Sequence, residues 1–175
     1  MMIQQLNNSV SKVSQQIYQV FQSSYKIEAD LVGVESFPPL SRTVENIQAS
    51  TTQFYGFIVE GELAGVIEIS LNEESADNIA KTTLEIDSLT VSPLYFKQGI
   101  ASRLIEFVLQ NKPFEYAIVE TAALNQPAVR LYEKHGFRVF KQFTPPHGIK
   151  KSGVTARLVH FKIYNNHLCA KNNQA

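Results

Sequence analysis

The sequence has little of what disulfide-bonded, membrane-spanning or nucleic-acid-binding proteins need. Its 175 residues include one cysteine, Cys169, so an internal disulfide is excluded. No apolar run approaches the roughly 20 residues of a membrane-spanning helix, and residues 1–5 lack the pattern of a signal peptide. Basic and acidic residues both number 16, so net charge does not favour nucleic acid. We therefore expect a cytoplasmic protein that binds neither membranes nor nucleic acid.

Ligand signatures that are easy to detect in a sequence are also missing. Neither the dinucleotide pattern G-x-G-x-x-G nor the P-loop G-K-[ST] occurs, and no histidine or cysteine cluster has metal-ligand spacing. What remains is an ordinary globular composition, with 44% apolar and 18% charged residues. This length predicts a single domain, which we assign to residues 1–164, followed by a flexible polar tail at 165–175.

The most informative stretch is Leu84–Leu109. Its first half mixes apolar with short polar residues, as a strand does, and Pro93 then stops the strand because proline cannot donate to a ladder. Its second half repeats apolar residues every four positions, which predicts a helix. The short loop Lys97–Ala101 opens directly onto that helix. Unpaired N–H groups at the positive end of a helix dipole bind phosphate well.

The rest of the chain shows further helix and strand patterns. Ile3–Val20 predicts an amphipathic helix, and fewer than three heptads favour packing on a sheet over a coiled coil. We interpret Tyr25–Val34 as a helical turn and then a loop, and Val44–Ala49 as a short helix capped by Ser41 or Thr43. Asn72–Lys81 is polar and predicts a loop. Strands are predicted, the first two as a hairpin, at Phe54–Glu60, Leu63–Leu71, Glu115–Thr121, Phe137–Phe143 and Val154–Tyr164.

Two segments resemble the GNAT N-acyltransferases. Val91-x-Pro93-x-x-Phe96-Lys97-Gln98-Gly99-Ile100-Ala101 is similar to the family's V-x-P-x-x-[QR]-x-x-G-x-[GA], with Phe96 where Gln or Arg is usual. Asn125-x-x-Ala128-x-x-Leu131-Tyr132-x-x-x-Gly136-Phe137 is similar to its N-x-x-A-x-x-L-Y-x-x-x-G-F. The resemblance implies an α/β (α+β) fold. Its mixed, mostly antiparallel sheet would have about six or seven strands, with helices on both faces. The family's usual first strand is not evident in this sequence.

The resemblance also implies acetyl-CoA as cosubstrate and places it on particular residues. The diphosphate would bind the loop and first helical turn, that is, Lys97, Gln98, Gly99, Ile100, Ala101 and Ser102. The pantetheine and the thioester oxygen would lie along a parted strand edge at Leu89, Thr90 and Val91. Asn125 matches a residue that hydrogen-bonds the cofactor or caps its helix, and both readings stay open.

Two residues are candidates for catalysis. Tyr132 matches the family's proton donor to the leaving sulfur, because a phenol is protonated at neutral pH and can give its proton to a thiolate; the alternative is a tyrosine that only packs on the sheet. Glu85 is the candidate general base, with Asp87 on the same face of a regular strand, where two carboxylates can raise one pKa. The alternatives are that these acids only form an exposed face of the strand, or that a chain of water molecules acts as the base.

The sequence therefore predicts an acetyl-CoA-dependent N-acetyltransferase. Its acceptor would be a small-molecule or peptide amine entering past Phe37–Ser41 and the loop Thr144–Gly153, where a lone His147 is more simply explained as solvated. The alternative function is a non-catalytic acyl-CoA-binding or regulatory module with the same fold, suggested by Phe96 and by the missing first strand. A homodimer is left open.

Overall fold

A computed structural model describes residues 1–33, 37–76, 79–143 and 155–161 of the chain. Within these ranges the strands are β1 Met2–Leu6, β2 Gln53–Val59, β3 Glu62–Ala76, β4 Ile79–Val91, β5 Tyr116–Ala122, β6 Arg138–Phe143 and β7 Thr155–Phe161. The helices are α1 Ser11–Val32, α2 Val44–Gln48, α3 Ile100–Asn111 and α4 Gln126–Lys134, with 3₁₀ turns at Pro38–Ser41 and Pro93–Tyr95. The predicted elements from Val44 to Phe161 are thereby confirmed in kind, apart from one loop.

The strands form one seven-stranded sheet in the order β1-β2-β3-β4-β5-β7-β6. Every neighbouring pair is antiparallel except β4 and β5, which are parallel. A parallel pair needs a crossover connection, and α3 supplies it between these two strands. The predicted mixed, mostly antiparallel sheet of six or seven strands is confirmed.

The helices lie on both faces of the sheet, as predicted. On one face α3 and α4 pack on the larger apolar core, where Leu104, Ile105 and Tyr132 meet Ile67 and Ile86. On the other face α1 and α2 cover a smaller core. Alternating residues of one strand serve the two cores, since Val66 belongs to the smaller and Ile67 to the larger.

The N-terminal prediction is wrong. Residues 2–6 form an edge strand paired with β2, so the first strand that the sequence did not reveal is present, and α1 begins only at Ser11. Asn7 explains the break, because its Oδ1 accepts hydrogen bonds from both the backbone N–H and the hydroxyl of Ser9, a local turn that competes with a helix. Ile3 and Leu6 fit the heptad spacing by coincidence.

Two further boundaries differ from the prediction. Helix α1 continues through the region interpreted as turn and loop and ends at Val32, where Gly33 has a φ of 72°, a usual helix stop. The predicted loop Asn72–Lys81 instead extends the β3–β4 ladder, with Asn72 opposite Thr83 and Glu73 opposite Thr82. Asn72 and Glu73 are polar because this end of the hairpin faces solvent, not because the backbone is irregular.

Some predictions fall outside the described residues. The loop Thr144–Gly153 with His147, the tail at 165–175 and Cys169 all lie there. Of the helices in the described ranges, none combines the length and apolar character that crossing a membrane requires.

Candidate active site

The sheet opens between its two parallel strands. Strands β4 and β5 pair only from Thr83 with Tyr116 to Ile86 with Val119. Beyond that point β4 stays paired with β3 as far as Val91, while β5 stays paired with β7 as far as Ala122. A gap therefore opens between residues 87–91 and 120–122, at the position where the sequence predicts a parted strand edge.

The free edge of β4 presents the backbone of two predicted cofactor residues. The N–H of Ser92 donates to the carbonyl of Ala64, with an N to O distance of 2.8 Å, so residues 90 and 92 face β3. Backbone groups alternate in direction along an antiparallel strand. The N–H and C=O groups of Leu89 and Val91 therefore point into the gap, while the side chain of Val91 is buried in the core beneath α3.

The strand is irregular at the start of the gap. Glu68 pairs with Ser88 and Ile69 with Ile86, so Asp87 is an extra residue opposite the bond between them. A bulge of this kind bends a strand and redirects its side chains. Asp87 is therefore placed at the base of the opening.

The loop before α3 has the conformation that the phosphate hypothesis needs. Lys97 and Gly99 have φ values of 61° and 78°, a left-handed region that favours glycine at such a turn. Gly99 is the N-cap of α3 without a side-chain capping bond, and Arg103 N–H donates to its carbonyl at 3.1 Å. The N–H groups of Ile100, Ala101 and Ser102 thus precede the first intrahelical bond.

A glycine on the neighbouring strand lets this helix start close to the sheet. A Cβ atom added to Gly65 would lie 2.8 Å from Cγ2 of Ile100 and 3.2 Å from the carbonyl oxygen of Thr90. Any larger side chain would push the start of α3 away from β4. The absence of a side chain at this position lets the strand edge and the loop before α3 lie side by side.

Tyr132 projects from α4 into the same region. Its side chain is buried and meets the ring of Phe137 edge-on, with centroids 5.5 Å apart. Burial raises its pKa well above the usual phenol value, and the nearby Tyr25 and Glu28 add to this increase. The hydroxyl is therefore protonated at every physiological pH.

Asn125 links the two faces of the molecule through the gap. Its Oδ1 accepts a hydrogen bond from Ala128 N–H at 3.2 Å and caps α4, while its Nδ2 donates to Glu28 Oε1 of α1 at 2.9 Å. Helices α1 and α4 pack on opposite faces of the sheet, so this contact passes where β4 and β5 have parted. The capping reading is present in the structure, and the cofactor contact stays a prediction.

The two candidate bases differ in their surroundings. Asp87 is open to solvent on one side, yet partial burial and the nearby Glu68 and Glu85 raise its pKa to about 6, against the 2.5 Å hydrogen bond donated by Ser70. Glu85 is half-buried in the paired part of the strand, opposite Ser70 and Ile118. Of the pair, Asp87 lies nearer the opening.

A buried ion pair lies near Asp87 on the α1 side of the sheet. The two Nη nitrogens of Arg42 donate to the Glu68 carboxylate at 2.5 and 2.8 Å, and the Thr52 hydroxyl donates to the same carboxylate at 2.6 Å. Although burial opposes it, these bonds hold the pKa of Glu68 below its usual range. The sequence offered no signal for this pair, because its members are 26 residues apart and lie on an irregular segment and a strand.

The described part of the chain contains no group of three or more histidine, cysteine or acidic side chains that could hold a metal ion.

Comparisons with known proteins agree with this geometry. Residues 15–137 match the model of the acetyltransferase (GNAT) family. The ribosomal-protein-S18-alanine N-acetyltransferase of Escherichia coli superposes with a TM-score of 0.66 at 15% identity, over 95% of this chain and 97% of that one. PaiA N-acetyltransferase from Thermoplasma acidophilum, solved with coenzyme A, gives 0.67 at 17% identity, over 93% and 100%.

A curated relative extends the same likeness at higher identity. The UPF0157 protein YqkA of Bacillus subtilis (strain 168) is 34% identical over 138 residues, which are 78% of this chain and 38% of the relative. The chain thus spans well under half of that protein's length. The fold, the parted strands and the family match together identify the class: the chain belongs to the GNAT acetyltransferase family, as the sequence motifs predicted.

Proposed function

We propose that this protein is an acetyl-CoA-dependent N-acetyltransferase that acts on a primary amine. The observation that supports this most is the gap between β4 and β5, because it sets a strand edge beside an uncapped helix N-terminus. A diphosphate and a pantetheine arm joined in one molecule fit this pairing of an anion site with a line of amide donors and acceptors. The family match and the coenzyme A bound to a structural neighbour support the same cofactor.

Different residues would bind different parts of the cofactor. The amides of Gly99, Ile100, Ala101 and Ser102 would hold the diphosphate, with the side chains of Lys97 and Gln98 exposed at the entrance. The backbones of Leu89 and Val91 would pair with the pantetheine amides, and one of these N–H groups would stabilise the thioester oxygen as it becomes anionic. A donor of this kind contributes roughly 10²–10³ in rate.

The transfer needs one bond made, one broken and a place for each proton. The acceptor enters as an ammonium ion, and the Glu85 and Asp87 pair takes one proton, directly or through water, to give the neutral amine. Its nitrogen attacks the thioester carbon, the C–N bond forms and the C–S bond breaks. Tyr132 gives its proton to the departing thiolate, and the second amine proton restores the phenol.

The case for a non-catalytic acyl-CoA-binding module is weaker than it was on the sequence alone. One of its two supports, the missing first strand, is removed by β1. The other is Phe96, which is 40% exposed beside the phosphate loop and offers no polar group to the cofactor.

A thiol-release assay with acetyl-CoA and a panel of primary amines tests the proposal. We expect release of free coenzyme A that depends on the amine and saturates with it. Tight binding of acetyl-CoA without any amine-dependent release would favour the binding module instead. A failure to bind acetyl-CoA at all would reject both functions.

A further inference from the structure

Glu28 lies at the gap but has no role in the transfer described above. It projects from α1, and its Oε1 receives the hydrogen bond from Asn125 at the start of the helix that carries Tyr132. The carboxylate is thus held at the opening, on the α1 side of the sheet. The phosphate loop lies on the other side, against α3, so Glu28 is on the side left for the acceptor.

The Glu28 carboxylate has capacity for a further partner. Within the described ranges no donor reaches its second oxygen, and its charge meets no cationic side chain in an ion pair. Burial raises its pKa, against the hydrogen bond from Asn125. Arg42, which lies on the same side of the sheet, is already paired in bidentate fashion with Glu68.

Other carboxylates belong to the strand on which α1 packs. Asp87 and Glu85 lie on β4, which α1 contacts, and Glu28 is close enough to raise the pKa of both Tyr25 and Tyr132. A neutral group at the same edge also lacks a partner: Thr90 Oγ1, in a side chain only 2% exposed, makes no hydrogen bond to the described residues. Its position opposite Val66 places it on the α1 face of β4.

The chain as a whole carries no net charge, so this local excess of carboxylates is a property of the site. A carboxylate held in a partly desolvated position favours a cation strongly and repels an anion. An acceptor with a carboxylate next to its amine would be repelled by Glu28, whereas an acceptor with a second positive charge would be attracted to it.

We propose that Glu28 forms an ion pair with a cationic group of the acceptor and so selects aliphatic di- and polyamines over amino acids. The proposal rests on the proposed function for the reaction itself, but the binding of a polyamine can be measured without turnover. Asn125 is then a positioning residue, because it fixes the Glu28 carboxylate relative to α4.

A matched series of acceptors tests the selectivity. The probes are 1,5-diaminopentane, pentylamine and 5-aminopentanoate, which share a five-carbon chain and end in a cation, a methyl group and an anion. We expect kcat/KM to fall in that order by roughly tenfold at each step. In Glu28→Gln, which keeps an oxygen for Asn125, the diamine should lose most of its advantage, chiefly through a higher KM.

The control is Asp30→Asn, which removes a charge from an exposed position on the same helix. It should leave the order of the three acceptors unchanged. Equal kcat/KM for the three amines in the wild type, or an unchanged preference in Glu28→Gln, would overturn the proposal.

Calorimetry separates this proposal from the proposed function. Spermidine is titrated into the protein saturated with coenzyme A, and we expect Glu28→Gln to weaken its binding by about 10- to 100-fold while Asp30→Asn binds as the wild type does. Turnover of no amine, together with this loss, would reject the enzyme and retain the cation site. Turnover with identical spermidine binding in wild type and Glu28→Gln would retain the enzyme and reject the cation site.

Discussion

The two edges of strand β4 behave differently. Along β3 the ladder is continuous from Val91 to Ile79, interrupted only by the bulge at Asp87. Along β5 it runs for four residue pairs and stops at Ile86. The continuous edge holds the strand in place, and the free edge leaves backbone groups for a ligand. Under the proposed function, stability and binding are separated on opposite sides of one strand.

The largest expected effect concerns chemistry at the free edge. Tyr132→Phe removes the proposed proton donor and leaves the ring contact with Phe137, so we expect kcat to fall by about 100-fold or more. Coenzyme A affinity and the melting temperature should change little. Tyr18→Phe, at a half-buried α1 position that packs against the smaller core, is the control. Wild-type turnover in Tyr132→Phe would show that the tyrosine only packs on the sheet.

The next effect concerns stability on the paired side. Arg42→Met leaves Glu68 buried without its cation, which should lower the free energy of unfolding by about 3–5 kcal/mol in urea titrations. The double variant Arg42→Met with Glu68→Met removes both charges and should recover most of the loss. If the double variant is as unstable as the single one, the ion pair is not what matters at this position.

A smaller effect distinguishes strain from binding. Gly99→Ala places a Cβ at a φ of 78°, which costs about 1–2 kcal/mol and shifts the amide of Ile100 as the loop relaxes. Gly61→Ala creates the same strain at a φ of 87° in the β2–β3 hairpin. Both should melt at similar, lower temperatures, but only Gly99→Ala should weaken coenzyme A binding, by roughly tenfold. Equal affinities would remove the loop from the cofactor site.

The smallest effect is a change in pH dependence. Asp87 has a pKa of about 6 in the folded protein, raised from 3.8. Between these two pH values its carboxyl group is protonated in the folded protein and ionised in the unfolded chain. Its contribution therefore makes the protein less stable as pH rises from about 4 to 6. If Asp87 is the base, kcat/KM should rise with pH through the same pKa of about 6.

Asp87→Asn should remove that loss of stability and the acidic limb of the rate profile. Glu85→Gln is the paired variant. If Glu85→Gln abolishes the limb and Asp87→Asn leaves it, the base is Glu85 alone, as the sequence first suggested.

Local signals were enough to predict much of this architecture. The strand and helix around Gly99, the cap at Asn125 and the helix that carries Tyr132 all depend on neighbouring residues in the chain. Their order matched one family. These features are local, so a single sequence contains them.

Other features depend on contacts that the sequence does not display. Ile3 and Leu6 have the spacing of a helix, and only their pairing with β2 makes them part of a strand. The Arg42–Glu68 pair and the Glu28–Asn125 bond join residues 26 and 97 positions apart. The length of the β4–β5 ladder is likewise a tertiary property, and the site depends on it.

A crystal structure of the protein with coenzyme A tests the central idea most directly. We expect the diphosphate on the amides of residues 99–102 and the pantetheine in the gap, hydrogen-bonded to the backbones of Leu89 and Val91. A cofactor bound elsewhere, with the gap between β4 and β5 empty or closed, would contradict the account.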